Sequence, residues 1–260
     1  MIAYSFAAVL MTIVWMTIIY LNEKKSLLSC DHFPTPGYKY FAYGWLGLFL
    51  LLLGVLVANA AKNPTRASDL ARTPFYALFS LHLILVLFLV GWWIAAGRPG
   101  LREFFSIQPG RSGEAVLIGL AVGVGGWIFT LAVALAIAAI LSASGLVRAP
   151  EPSPVIGFMA SLPVWKKALL VLSAMTVEEA FFRAWLQKRI GLIASTTLFA
   201  LAHFTLGQPL LLIGVFVISL VIGFTFYRTK NVLPGVVAHG VFDAVQLFVI
   251  IPIAFRVAGM

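Results

Sequence analysis

The stretch WKKALLVLSAMTVEEAFFRAWLQKR, residues 165–189, decides how the chain is read. It is a hydrophobic helix with Glu178, Glu179 and Arg183 set in its middle. On insertion scales each charge near a bilayer centre costs about 2.5–3.5 kcal/mol, so three cost roughly 7–10 kcal/mol before pairing or snorkelling relieves them. Glu179 and Arg183 stand at i and i+4 with the acid N-terminal, the favoured order for an ion pair. Glu178 lies about 100° further round and finds Phe181 and Phe182, not a base, at i+3 and i+4. Its carboxyl needs water or a partner from another helix, which suits a group that exchanges protons near neutral pH. The bland alternative is that the three residues only hold a helix bundle together.

The rest of the chain supplies the surroundings that such a helix requires. Of 260 residues 62% are hydrophobic and 10% charged, and the mean hydropathy is +1.02, which marks a polytopic membrane protein. A net charge of +9 raises the question of nucleic acid. The basic residues sit in short connectors between apolar runs, where the positive-inside effect accounts for them, so no nucleic-acid partner is expected and the lipid bilayer is. Cys30 is the single cysteine, which excludes an internal disulfide and a thiolate metal cluster. The first apolar run, 2–21, lacks a basic n-region and a small-residue cleavage site, so it reads as a retained helix.

Apolar runs separated by polar connectors predict helices at about 2–21, 40–61, 74–96, 115–141, 165–189, 191–206, 210–227 and 232–254. Each is near the ~20 residues that a bilayer needs, so the expected fold is all-α, a polytopic transmembrane bundle of about eight spans. Four helices fill 1–141, a proline-rich connector occupies 142–164, and 165–254 is the expected catalytic core. The connector's apolar patch, 155–162, is too short to span and is expected to lie on the surface or dip in beside the acidic helix. Gly119 and Gly123 make a small-xxx-small pair that admits a close helix neighbour. His82 has no second polar residue in helical register and reads as a hydrogen-bonded bundle residue. Odd-numbered connectors hold ten Lys and Arg against seven in the others and the tail, which favours both termini outside.

Within the last four helices the polar groups fall at Glu178, Glu179, Arg183, His203, His239 and Asp243, each read as several residues from a helix end. Similar depth allows them to converge. His239 and Asp243 share a face at i and i+4, as do Phe199 and His203. His203 alone reads as a satisfied membrane histidine. Together, two carboxylates and two imidazoles at mid-membrane are the parts of a water-activating site: a base, an orienting group and donors for an oxyanion.

Three segments carry a family resemblance. EEAFFR at 178–183 resembles the EExxxR motif, FALAH at 199–203 the FxxxH motif, and HGVFD at 239–243 the HxxxN/D motif of the CPBP family. These are the CAAX proteases and bacteriocin-processing (ABI) enzymes, among them the Ras-converting type II CAAX prenyl endopeptidase. The resemblance covers about 165–254 and implies a membrane-recessed site and an intramembrane glutamate protease of membrane-associated or lipid-anchored proteins and peptides. By this resemblance Glu178 is the general base, His203 its helper, and Glu179 is held by Arg183. His239 and the residue at Asp243 stabilise the oxyanion. The family usually has Asn at the last position, and an ionised Asp243 cannot donate, so Asp243 is expected to orient His239. No cofactor is expected. Zinc is the rival chemistry, since two histidines and two carboxylates are potential ligands, but HExxH is absent and Arg183 adds positive charge. A non-catalytic membrane scaffold or bacteriocin immunity protein and a proton-coupled transporter are the alternatives from other classes. The resemblance also suggests a prokaryotic cell membrane.

Overall fold

A computed structural model describes residues 2–25, 32–63, 67–143, 154–204 and 209–257, which form helices and no strand. Cys30 and the turn at 205–208 lie outside these residues. The helices are α1 (Ile2–Lys25), α2 (Pro36–Lys62), α3 (Ala67–Arg72), α4 (Ser80–Ala95) after a 3-10 turn at Phe75–Phe79, α5 (Leu101–Phe104) and α6 (Ser112–Ala143). Then come α7 (Pro154–Ser161), α8 (Val164–Glu179), α9 (Lys188–Ala202), α10 (Pro209–Thr229), α11 (Leu233–Val245) and α12 (Ile251–Val257). Wide π-helical turns, Ala180–Gln187 and Gln246–Ile250, join α8 to α9 and α11 to α12.

All eight expected segments are helical. Six helices among the described residues are long and apolar enough to cross a bilayer, or seven if α7 and 164–202, bent by 120°, count as one span. The segments that fall short of the expected eight are the acidic helix, burdened by its charges, and its successor, which ends at Ala202. Gly191 separates these two as the sequence predicts. Its φ of +81° is a left-handed value that glycine adopts without strain, and the chain reverses there.

Side-chain neighbours give each pass its direction. Trp15 packs at Gly47 and Met11 at Gly54, so α1 and α2 are antiparallel; Trp45 at Gly91 and Phe49 on Phe88 make α2 and α4 antiparallel too. α4 and α8 run parallel, with His82 beside Ser173 and Glu178 and Phe88 beside Phe181 and Trp185. α11 runs back along α8, bringing Gly240 to Met175 and Gly235 to Glu179. The third, fifth and seventh connectors consequently meet at one end, where Pro34, just before α2, also stands against Gly97. There Val232 N–H donates to Ser106 O at 3.0 Å and Lys188 Nζ to Phe104 O at 3.2 Å.

Two packing devices hold the site in place. A Cβ on Gly119 would stand 2.5 Å from Val237 Cβ, and one on Gly123 2.7 Å from Val241 Cβ, so the expected small-residue pair is what lets α6 lie against α11. An aromatic cluster of Phe49, Phe88, Trp92, Phe181, Phe182, Trp185 and Phe199 joins α2 and α4 to α8 and α9. Offset and edge-on ring pairs of this kind add about 0.5–1.5 kcal/mol each beyond their burial. The short α7 packs with Gly157 near the Phe255 ring of α12.

Candidate active site

Glu179 and Arg183 form the buried centre. Arg183 Nε donates to Glu179 Oε2 at 3.0 Å, and both side chains are wholly buried. Arg183 Nη2 donates to Ser219 Oγ of α10 at 3.1 Å, and its guanidinium lies 5.0 Å from the Phe199 ring centre. The other oxygen, Glu179 Oε1, stands 3.0 Å from His239 Nδ1 of α11. α11 comes this close because Gly235 faces the carboxylate, where a Cβ would stand 2.9 Å from Glu179 Oε2. One carboxylate therefore ties together three helices, and its charge is matched inside the protein, as burial demands.

The helix departs from regular α geometry just after the acidic pair. In a π turn the backbone bonds reach one residue further, which frees carbonyl groups for other partners, and such turns are frequent at functional sites. Ser195 Oγ of α9 donates to Phe182 O at 2.8 Å, which fastens α9 to the widened turn.

Glu178 points the other way, toward α4. His82 Nε2 lies 3.1 Å from Glu178 Oε1, and His82 Nδ1 lies 2.7 Å from Ser173 Oγ. Glu178 Oε2 is buried without a hydrogen-bond partner. The partner that the sequence required from another helix is thus His82. Its reading as a hydrogen-bonded bundle residue holds, but its place at the acidic pair was missed. The available signal was an ionisable residue inside a membrane helix, which is functional by default.

The two remaining histidines meet across Phe199. Its ring is 4.8 Å from that of His203 and 5.9 Å from that of His239. His203 is not several residues inside a helix, as expected. It caps α9, with its backbone N–H bonded to Ala200 O at 3.0 Å, because the chain leaves the helix there. His203 Nδ1 stands 2.9 Å from Phe199 O, which leaves Nε2 as its free ring nitrogen. His239 Nε2 lies 3.4 Å from Asp243 Oδ2, and the Asp243 side chain is 28% exposed. Both nitrogens of His239 therefore face carboxylates. All six residues singled out from the sequence gather in this region, with His82 and Ser173 added.

Zinc, the rival chemistry, would have to draw on these same side chains. Among the described residues no group of three or more His, Cys, Asp or Glu side chains converges as a metal requires. Glu179 is already occupied by Arg183 and His239.

Residues 160–245 match the family model described as "Type II CAAX prenyl endopeptidase Rce1-like". No curated protein and no solved structure matches the chain. The matched segment contains the whole cluster except His82.

Proposed function

We propose, from the match of residues 160–245 to the type II CAAX prenyl endopeptidase Rce1-like family model, that this chain belongs to the CAAX protease (CPBP) family and is an intramembrane endopeptidase whose water is activated by Glu178 and His203. It is a multi-pass membrane protein of a family that acts on protein substrates at the membrane. The bond cleaved lies near the end of a membrane-associated or lipid-anchored protein or peptide, in a prokaryotic cell membrane. The observation that supports the mechanism is Glu178 Oε2, a buried carboxylate oxygen with no hydrogen-bond partner. Such an atom is suited to take a proton from water.

In the proposed sequence Glu178 Oε2 accepts a proton from water, which His203 Nε2 helps to hold, and the oxygen attacks the peptide carbonyl. The tetrahedral oxyanion then accepts a hydrogen bond from Nε2–H of His239, which in this step is the doubly protonated imidazolium, its Nδ1–H donating to Glu179. On collapse the C–N bond breaks, and the proton held by Glu178 passes to the leaving amine. Glu179 and Arg183 take no part in proton transfer; they hold His239 through Nδ1, so Nε2 is the nitrogen left for the oxyanion. Asp243 faces that nitrogen from the long distance of 3.4 Å and is partly exposed, so the substrate oxygen can displace it. No step of this sequence is routed through a metal.

Replacing Glu178 or His203 by alanine tests the reading. Processing should be abolished while the protein still inserts; activity persisting in Glu178→Ala refutes the mechanism. A prenylated CAAX protein, a peptide pheromone, a bacteriocin leader and a C-terminal sorting tail all meet the chemistry described. A binding scaffold or immunity protein would instead keep its function in both variants.

A further inference from the structure

We propose that His82 of α4 is a positioning residue for Glu178, and that it makes Oε2 rather than Oε1 the oxygen that receives the proton. The inference rests on the reading of Glu178 as the base. An ionised carboxylate only accepts hydrogen bonds, so the His82 nitrogen 3.1 Å from Oε1, Nε2, carries its hydrogen. Nδ1 of the neutral ring is then an acceptor, and the Ser173 hydroxyl at 2.7 Å is its donor. The relay Ser173 O–H to His82, then His82 N–H to Glu178, has one direction. It holds Oε1 and leaves the buried Oε2 open.

The fold holds this relay firmly. His82 and Glu178 are each only 13% exposed, so little water competes for their bond. Ser173 and Glu178 lie on the same helix and hold the ring from two sides, Ser173 donating to Nδ1 and Glu178 accepting from Nε2–H. Beyond His82, α4 is clamped to the acidic helix by Phe88 and Trp92 against Trp185, with ring centres 4.7 Å and 5.1 Å apart. Because α4 runs parallel to α8, this clamp sets the height of His82 beside Glu178. The N-terminal half, outside the segment that matches the family, thus contributes to the chemistry and does more than surround it.

The test uses the full-length protein in proteoliposomes with a farnesylated CAAX peptide. Loss of a hydrogen bond to a charged group should lower kcat of His82→Leu on the order of tenfold to a hundredfold, with KM changed less than about twofold. His82→Gln, which keeps an N–H donor, should recover most of kcat, and Ser173→Ala should lose a few-fold. Equal kcat in wild type and His82→Leu, or equal losses in the Leu and Gln variants, overturns the inference in favour of packing alone. Infrared difference spectra separate this from failure of the base reading. The carboxylate band that disappears in Glu178→Gln should shift in His82→Leu, whether or not the peptide is cleaved. An unmoved band overturns the role of His82; a shifted band with fully active Glu178→Gln overturns the base reading on which that role rests.

Discussion

His239 is oriented by Glu179, whose Oε1 stands 3.0 Å from His239 Nδ1 while Arg183 holds the other carboxylate oxygen. The ring is thus set from the side away from Asp243, which the sequence had cast as the orienting residue. The paired acid in the EExxxR stretch accordingly has two different tasks. Glu179 is buried with both oxygens engaged, and Glu178, one residue earlier, turns to His82 and keeps one oxygen without a hydrogen-bond partner.

Breaking the Glu179–Arg183 pair should be costly. Arg183→Leu leaves the Glu179 charge buried and unmatched, and such losses destabilise by about 3–5 kcal/mol. Thermal unfolding in detergent should show a large fall in Tm for Arg183→Leu and a smaller one for the double variant Glu179→Gln with Arg183→Leu, which removes both charges.

Asp243→Asn should keep activity within about threefold of wild type, because Glu179 already orients His239 and an amide can donate to the oxyanion. A loss as complete as that of Glu178→Ala, measured as kcat on the same peptide, would show that the carboxylate itself is needed.

The α6–α11 contact gives a stability prediction with an internal control. Gly123→Leu forces a side chain into Val241 and should destabilise by about 1–3 kcal/mol or more. Gly125→Ala meets nothing within 4 Å and should leave the unfolding temperature unchanged. Equal effects at the two positions would mean that α6 does not lie on α11 through this face.

Strong chelators should leave peptide cleavage unaffected, since Glu179 is held by Arg183 and His239 and only one oxygen of Glu178, Oε2, is without a hydrogen-bond partner. Loss of cleavage that returns with added zinc would restore the metal-dependent alternative.

Much of this arrangement was legible in the sequence because a membrane makes charge conspicuous. The i, i+4 pairing of Glu179 with Arg183, the break at Gly191 and the close approach at Gly119 and Gly123 are local in the chain, and helical geometry alone yields them. What lay beyond reach depends on how distant helices are aligned. His82 and Glu178 are 96 positions apart, and only the aromatic clamp between α4 and the acidic helix sets their register. His203 was misplaced by a few residues because an apolar run does not mark where its last helical turn ends. Among the described residues six or seven helices meet a span's length and composition against about eight expected, because the acidic helix and its successor are helical but carry too much charge, or too little length, to qualify on their own.

The most direct test compares the membrane peptidome of cells carrying the native protein with that of cells carrying Glu178→Gln at matched expression. The account predicts that specific C-terminal or N-terminal fragments vanish and their uncut precursors accumulate in the Glu178→Gln cells. Identical peptidomes, with cleaved products present in both, would contradict the assignment of Glu178 as the group that activates water.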